Sequence, residues 1–268
     1  MPELPEVETV RRELEPILIN QEILSASLVD AVPHKKYQNL ELCINQTIKS
    51  VNRRGKFLIL ALSNNLELII HLGMTGVIAF EPFEKHLRVK LELKENTLYF
   101  QDVRRFGRFL VVNAQDYKSM PTLHTMGPEP FSKEFSNKHF FAALQKSNTA
   151  IKNYLLSQKP VAGLGNIYVD EALWQVKINP QSKAKNISKA KVNKLRQAII
   201  EILAASIKAQ GTTLNDYRTV SGEVGEYAQQ LNVYSHTGKP CPRCKTSIER
   251  IVLAGRSTHF CPKCQATN

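Results

Sequence analysis

Four of the five cysteines in this 268-residue chain lie close together near its C-terminal end, in two pairs with identical spacing. Cys241 and Cys244 flank Pro-Arg, and Cys261 and Cys264 flank Pro-Lys. Each C-x2-C pair can chelate one ion, and two pairs at this separation predict a tetrahedral four-cysteine zinc site. Because thiolates fill all four positions, none is left for water, and the sequence predicts one structural Zn²⁺.

The residues between the pairs, 245–260, can form a β-hairpin whose tip would be Ala254-Gly255-Arg256. Such a ribbon, fixed by zinc, would present its basic side chains to phosphate groups, although a solvated basic face is the alternative. Those side chains are Arg243, Lys245, Arg250, Arg256 and Lys263. Cys43 stands apart from the pairs, and we expect it to be a small buried apolar residue.

The chain carries 36 Lys and Arg against 24 Asp and Glu, a formal net charge of +12. This excess favours an anionic polymer as partner, with a membrane surface as the competing interpretation. No apolar run reaches the roughly 18 residues of a membrane-spanning helix. The first residues also lack the basic and then apolar pattern of a signal peptide, so we expect a cytoplasmic location.

Hydrophobic periodicity changes along the N-terminal half. Leu4, Val7, Val10 and Leu14 recur at helical spacing and predict a short amphipathic helix that ends at Pro16. Short runs rich in Val, Ile, Leu and Phe then alternate with turn residues, which favours a β-sandwich or barrel. The eight predicted strands are 23–29, 47–51, 57–62, 66–71, 77–80, 87–93, 97–100 and 109–112.

The C-terminal half is predicted to be helical. Residues 127–130 read Gly-Pro-Glu-Pro, a stretch that disfavours helix and predicts a domain boundary. The helices predicted after it are 137–146, 151–157, 166–174 and 192–210, the last with Gly211 as its C-terminal cap. We therefore expect three domains, 1–130, 131–233 and 234–268.

The chain begins Met1-Pro2-Glu3, which gives a secondary amine beside a carboxylic acid once Met1 is removed. A terminal amine titrates near ~7.7–8.0, well below the ~10.4 of lysine, so part of it is unprotonated and nucleophilic at neutral pH. Condensation of proline with an aldehyde-level carbon yields a cationic iminium, which is a strong electron sink. The predicted helix begins almost at Pro2, and its N-terminus would lower the amine pKa further. A merely stable terminus is the alternative.

Four further stretches stand in order along the chain. They are Pro-Glu-Leu-Pro-Glu-Val-Glu-Thr at 2–9, His-Leu-Gly-Met-Thr-Gly at 71–76, Asp-Val-Arg-Arg-Phe-Gly at 102–107 and Gly-Leu-Gly-Asn-Ile-Tyr-Val-Asp-Glu at 163–171. With the cysteine ribbon, the whole chain resembles the bacterial formamidopyrimidine-DNA glycosylases, base-excision repair enzymes that remove oxidised purines. The resemblance implies an α+β multidomain protein with an N-terminal β-sandwich, a helix-two-turn-helix domain and a C-terminal zinc finger.

The resemblance also assigns roles and a partner. It implies a monomer, nucleoid-associated in a bacterium, that binds double-stranded DNA containing oxidised bases or abasic sites. Pro2 would attack C1′ of the damaged nucleotide, and Glu3 would protonate the sugar ring oxygen. Lys56 would contact the lesion-side phosphate and assist base release or β-elimination, and Arg256 would serve phosphate binding and δ-elimination.

Further residues are implied as DNA contacts. They are His71, Met74, His86, Arg104, Phe106, Lys146, Lys152 and Asn166. Met74, Arg104 and Phe106 would enter the duplex, because a flipped nucleotide leaves a gap in the base stack that must be filled. For His71, a satisfied core histidine is the alternative.

Departures from the family pattern bear on lesion preference and affinity more than on reaction type. Many members carry His-Asp-His where this chain reads His86-Leu87-Arg88. Asn215 stands where several members place a lysine near the lesion, and residues 219–227, the expected lesion-covering loop, are atypical.

Two other functions stay open at this point. The sister endonuclease VIII group shares the terminal proline and zinc ribbon but removes oxidised pyrimidines. Its members typically read Glu-Gly-Pro near the start, whereas this chain reads Leu-Pro-Glu-Val-Glu-Thr at 4–9, which favours the purine branch. A non-catalytic zinc-ribbon protein would instead bind damaged or bent DNA without cleaving it.

Overall fold

The computed structural model describes residues 1–29 and 35–266. Its Cα packing forms two compact units, one of residues 1–124 and 207–228 and the other of residues 125–206 and 229 onward. The chain thus leaves the first unit near residue 124 and returns to it for one segment after its longest helix. The three-domain boundaries expected from the sequence stay a prediction.

Two sheets form most of the first unit. Its strands are β1 Ile23–Leu28, β2 Tyr37–Gln38, β3 Ile48–Arg54, β4 Phe57–Leu62, β5 Leu66–His71, β6 Gly76–Ala79, β7 Leu87–Leu93, β8 Thr97–Asp102 and β9 Arg108–Asn113. One sheet has the order β2-β9-β5-β4-β3 and the other the order β1-β7-β8-β6. Buried apolar side chains from both sheets belong to one core cluster, as in a β-sandwich.

All eight predicted strands are present, within a few residues of their expected ends. The sequence missed β2, which consists of two residues paired in parallel with β9. So short a strand cannot display the alternation of apolar and polar residues by which strands are recognised in a sequence.

The first helix, α1, spans Leu4–Leu18 and continues past Pro16. The prediction that Pro16 ends this helix was wrong. Proline cannot donate a backbone hydrogen bond to the carbonyl of Arg12, four residues earlier. Leu14 and Leu18 are nevertheless fully buried, so packing against the core holds the last turn in place.

The remaining helices are α2 Pro121–His124, α3 Asn137–Gln145, α4 Ile151–Leu156, α5 Asn166–Gln175 and α6 Lys189–Lys208, with short 3-10 helices at Leu40–Cys43, Ala184–Asn186 and Tyr227–Gln230. The predicted cap of α6 is off by one residue, because Gln210 already adopts the left-handed backbone, with φ 57°. Gly211 has a different importance: a Cβ there would lie 2.9 Å from Glu6 Oε1, so only glycine permits this close approach.

In the second unit, β10 Glu249–Leu253 and β11 Arg256–Phe260 form the predicted hairpin. Leu253 pairs with Arg256, which leaves Ala254 and Gly255 as the turn. Both turn residues have positive φ, 45° and 74°, the pattern of a type I′ hairpin turn. Arg256 is therefore the first residue of β11 rather than part of the tip.

No helix within the described residues combines the length and the apolar character needed to cross a membrane.

Candidate active site and metal centre

The Pro2-Glu3 pair stands at the N-terminus of α1, and both residues are buried. Glu3 occupies the N-cap position, and its N–H donates to Glu6 Oε2 at 2.7 Å. The other oxygen of Glu6 accepts the N–H of Thr212, also at 2.7 Å. Glu6 thus binds the start of the chain to the segment after α6 with charge-assisted hydrogen bonds, which fixes the peptide beside Pro2.

Lys56 lies in the two-residue turn between β3 and β4, where Arg54 pairs with Phe57. Gly55 takes a positive φ of 55°, as the first residue of a type II′ hairpin turn does. Lys56 is only 7% exposed. Its position is restrained by packing and not by the turn alone.

Arg53 links this turn to α1. Its Nε contacts Glu8 Oε2 at 3.0 Å, and its NH1 donates to the carbonyl of Gly55 at 3.0 Å. Burial on its own would raise the pKa of Glu8, but hydrogen bonds from Arg11, Arg53 and Arg12 lower that pKa below its usual value. The same helix therefore carries Pro2 and Glu3 at its start and holds the Lys56 turn through Glu8.

His71 ends β5 opposite Phe57, and the two rings are 4.6 Å apart. Burial, followed by the charges of Lys56 and Arg108, lowers the pKa of His71 to about 3. The neutral ring accepts the N–H of Gly73 at Nδ1, 3.1 Å away, which leaves the proton on Nε2. His71 can therefore donate one hydrogen bond to a phosphate without carrying charge.

The three predicted duplex-entering residues lie on two neighbouring loops of the first unit. Met74 is partly buried, Arg104 is exposed, and Phe106 is 43% exposed despite its apolar ring. The guanidinium of Arg104 lies 4.9 Å from the centre of the Phe106 ring, and the ammonium of Lys36 lies 5.0 Å from it. An aromatic side chain flanked by two cations suits insertion into a stacked polyanion.

The residues of the first unit that depart from the family pattern differ in exposure and in hydrogen bonding. His86 is exposed with a left-handed backbone, whereas Arg88 is 6% exposed and donates from Nε to the carbonyl of Asp102 at 2.8 Å. Asn215 is exposed. In the 219–227 segment, the N–H groups of residues 220 and 221 both donate to Glu13 Oε2 on α1.

The four paired cysteines converge, with all four Sγ atoms within 4.8 Å of one another. Cys241 Sγ and Cys264 Sγ are 4.0 Å apart, and Cys244 Sγ and Cys261 Sγ are 3.4 Å apart. A tetrahedron with Zn–S bonds of about 2.3 Å has edges of about 3.8 Å, which these distances straddle. The residues present fit one structural zinc ion, as predicted.

Side chains of the second unit hold the backbone next to Arg256 by hydrogen bonds. Arg256 is exposed, and the carbonyl of the next residue, Ser257, accepts Lys152 Nζ at 2.8 Å and Asn166 Nδ2 at 2.9 Å. Lys152 is fully buried and pairs with Asp170 Oδ1 at 2.7 Å. Both predicted DNA contacts, Lys152 and Asn166, are thus engaged with the hairpin, and this geometry favours a supporting role for them.

The other predicted basic residues of the second unit include one exposed side chain and one with a supporting role. Lys146 is exposed at the end of α3. Arg243 stacks 3.9 Å from the ring of Trp174 and donates to the carbonyls of Trp174 and Gln175. Because two of its N–H groups cap the C-terminus of α5, Arg243 stabilises the zinc module rather than standing free on its outer face.

Four charged residues that position the candidate groups within each unit were not predicted from the sequence. Glu6, Arg53, Asp102 and Asp170 are buried or nearly buried and reach partners far away in the chain. Local periodicity carries no signal for such contacts. The one available clue was a charged residue inside a stretch that also carries a predicted catalytic or DNA-contacting residue, and it applied to Glu6, Asp102 and Asp170.

Comparison with known proteins agrees with this arrangement. The family models for the formamidopyrimidine-DNA glycosylase N-terminal domain and H2TH domain match residues 1–109 and 126–218. A model described as a zinc finger found in FPG and IleRS matches residues 238–267. The predicted fold class, with its N-terminal domain, helix-two-turn-helix domain and zinc finger, is therefore confirmed.

Whole-chain relatives point the same way. Formamidopyrimidine-DNA glycosylase of Thermus thermophilus is 43% identical over 267 residues, covering 99% of this chain and 98% of the relative. The crystal structure of MutM (Fpg) from that organism superposes with a TM-score of 0.94 over 100% of both chains. Lactococcus lactis Fpg, solved with abasic-site DNA and as a mutant with Fapy-dG DNA, is 39% identical, with TM-scores of 0.89 over 99% of this chain and 100% of that one. The chain belongs to the formamidopyrimidine-DNA glycosylase family.

Proposed function

We propose that this protein is a bifunctional DNA glycosylase and abasic-site lyase that removes oxidised purines, including 8-oxoguanine and formamidopyrimidines. One observation carries the proposal. The buried Pro2-Glu3 pair immediately precedes α1, with Glu3 as its N-cap, and the same helix holds the Lys56 turn through Glu8 and Arg53. A terminal amine, an acid and an ammonium group are thereby attached to one rigid element.

The reaction begins once Met1 has been removed, because the nitrogen of Pro2 is otherwise an amide. The amine attacks C1′ of the extruded nucleotide, the bond from C1′ to the base breaks, and the base leaves with a proton. Glu3 protonates the ring oxygen as the sugar opens, which gives the Pro2 iminium. The position at the helix N-terminus favours the unprotonated amine.

The iminium then drives strand cleavage. It acidifies the C2′ proton, so the 3′ phosphate leaves by β-elimination and the 5′ phosphate by δ-elimination, and a one-nucleotide gap remains. Lys56 and neutral His71 bind phosphate on the first unit, and Arg256 does so on the hairpin of the second. Zinc, when bound, supplies structure to this hairpin and no chemistry, because its four thiolate positions are closed.

Extrusion of the damaged nucleotide needs a replacement in the base stack. Met74 and Phe106 supply apolar and aromatic surface, and Arg104 supplies hydrogen-bond donors to the orphaned base. His86 and Lys146 complete the proposed set of direct DNA contacts, whereas Lys152 and Asn166 support the Arg256 hairpin through the carbonyl of Ser257.

The purine branch is supported by the Leu-Pro-Glu-Val-Glu-Thr run at 4–9 and by the Fapy-dG complex of the Lactococcus relative. Oxidised pyrimidines are the substrates of the rival branch, so substrate choice separates the two. We also propose a monomer that acts on chromosomal DNA in the cytoplasm or nucleoid, which light scattering and cell fractionation can test.

Borohydride trapping tests the proposed function. With a duplex that contains 8-oxoguanine opposite cytosine, the wild-type protein should form a covalent protein–DNA product, and Pro2→Gly should reduce this product severely. Pro5→Ala, which removes a proline from the same turn without touching the amine, is the matched control and should trap normally. Trapping only with oxidised pyrimidines would favour the endonuclease VIII group, and binding without trapping would favour a non-catalytic protein.

A further inference from the structure

Asp102, at the end of β8, is fully buried between two loops. We name them the Met74 loop, residues 72–75, and the Phe106 loop, residues 103–107. Asp102 Oδ1 accepts the hydroxyl of Thr75 at 2.6 Å, and Oδ2 accepts the N–H of Gly107 at 2.6 Å. One carboxylate therefore holds both loops through short hydrogen bonds, and charge-assisted bonds of this kind are among the strong ones.

The two loops also contact each other directly. The N–H of Arg104 donates to Thr75 Oγ1 at 3.0 Å, so this hydroxyl both donates and accepts across the junction. A Cβ on Gly73 would lie 2.5 Å from the nitrogen of Gly107 and from the carbonyl carbon of Phe106. The backbones of the two loops are therefore in close contact at Gly73, and a displacement of one loop would displace the other.

The position of Asp102 is itself fixed by the start of β7 and the residue before it. Its N–H donates to the carbonyl of His86 at 3.0 Å, and its own carbonyl accepts Arg88 Nε at 2.8 Å. Arg88 is one of the residues at which this chain departs from the family pattern, and it is 6% exposed. The carboxylate is thus presented from a rigid strand end, as a positioning group requires.

We propose that Asp102 and Thr75 are positioning residues whose hydrogen bonds hold the Met74 and Phe106 loops together, an arrangement that we call the lock. The lock determines how strictly Arg104 distinguishes the base opposite the lesion. The inference rests on the proposed DNA role of Met74, Arg104 and Phe106. Neither Asp102 nor Thr75 needs to touch DNA. They act through the orientation of Arg104, whose N–H is bound to Thr75.

Thr75→Val breaks the lock with little change in shape. It removes the hydroxyl that accepts the Arg104 N–H and donates to Asp102 Oδ1. Thr75→Ser keeps the hydroxyl and should restore the junction. The matched control is Thr97→Val, the same exchange at the opposite end of β8.

Hydrogen exchange followed by mass spectrometry tests the lock without DNA. In Thr75→Val, amides of the Phe106 loop should exchange roughly tenfold faster than in the wild type, the effect of about one lost hydrogen bond. Thr75→Ser and Thr97→Val should exchange at nearly the wild-type rate. Unchanged exchange in the Phe106 loop of Thr75→Val would overturn the lock, whatever the enzyme activity proves to be.

Single-turnover excision then tests whether the lock affects discrimination of the base opposite the lesion. The rate ratio for 8-oxoguanine opposite cytosine over adenine should fall roughly tenfold in Thr75→Val, since one base contact carries about that discrimination. A lower melting temperature with an unchanged ratio would show a purely structural role and overturn the proposal. Absence of excision by the wild type would refute the proposed function, and with it the role in base reading, while the exchange result still decides the lock.

Discussion

Two-residue hairpin turns place both cations that the proposed mechanism uses for phosphate binding, one within its turn and one directly after it. The two hairpins differ in what stabilises them. Lys56 lies between β3 and β4, inside a five-stranded sheet that packs on the main core. Arg256 follows the turn between β10 and β11, a sheet of two strands. An isolated two-stranded hairpin is marginally stable in water, so the second needs support from outside its own strands.

The supports differ accordingly. The first hairpin is attached to α1 by the pair Arg53–Glu8, whose side chains are 10% and 12% exposed. The second depends on the four-cysteine centre and on the pair Lys152–Asp170, whose side chains are both fully buried. The Lys56 hairpin is thus stabilised by a large sheet and a partly exposed ion pair. The Arg256 hairpin is stabilised by the four-cysteine metal centre and a buried ion pair.

Metal removal should have the largest effect and should act on the Arg256 hairpin alone. Structural zinc contributes about 10–16 kcal/mol to folding in zinc-finger peptides, so chelation or Cys261→Ala should unfold this module. Trp174 is the only tryptophan of the chain and packs with Cys241 and Cys261, so its fluorescence reports the change. Cys43→Ala, in the first unit, should leave that fluorescence unchanged. Retention of the Trp174 signal in metal-free protein would contradict this account.

Loss of the buried Lys152 ammonium should have the second-largest effect. Lys152→Met leaves Asp170 buried without its cation, which typically costs about 3–5 kcal/mol. Urea unfolding followed through Trp174 should show this loss, together with faster exchange at residues 256–260. Lys146→Met, at an exposed position, should change the unfolding free energy by less than about 0.5 kcal/mol. Equal effects of the two substitutions would contradict the supporting role of Lys152.

The Lys56 hairpin should instead respond to pH through His71. The folded pKa of about 3 lies below the ordinary value of 6.5, so the unfolded chain binds a proton first as the pH falls. Stability is therefore complete above pH 6.5 and declines toward pH 3, by about 2 kcal/mol at pH 5 from this group. An NMR titration should show His71 neutral at pH 5, and His71→Gln should remove this part of the decline. A midpoint near 6.5 would refute the neutral assignment.

The smallest effect should be at Glu8. Glu8→Gln weakens the link to Arg53 and should cost about 1–2 kcal/mol, since the pair is partly exposed. The folded pKa of Glu8 is lowered, so this stabilisation is present above its ordinary value of 4.5 and is lost as the pH falls through the folded pKa. Chemical unfolding at pH 7 and at pH 3 measures the difference. A cost that matched Lys152→Met would remove the contrast between the two hairpins.

Sequence patterns anticipated the elements better than their connections. The eight main strands and the cysteine centre follow from local spacing, because alternation and C-x2-C pairs are properties of neighbouring residues. The continuation of α1 past Pro16 does not, since it depends on burial of Leu18 in a core assembled from distant strands. Local spacing likewise gives no sign of β2, whose partner strand begins at residue 108.

The candidate site shows the same division. Pro2, Glu3, Lys56 and the cysteines were identified from the terminus, from spacing and from family resemblance. Asp102 and Glu6 were not, because their roles exist only when residues 75 and 212 are brought beside them. The family pattern also led us to expect Lys152 at the DNA surface, whereas its full burial reflects a pairing with Asp170 that spacing alone does not indicate.

Identification of the amino acid that carries the DNA in the trapped complex decides whether Pro2 is the nucleophile. Borohydride-trapped protein should be digested and its DNA-linked peptide sequenced by mass spectrometry, after the intact mass has shown whether Met1 is present. We predict a chain that begins at Pro2, with the reduced sugar attached to the Pro2 nitrogen. Attachment to Lys56 or another lysine, or trapping by protein that retains Met1, would contradict it.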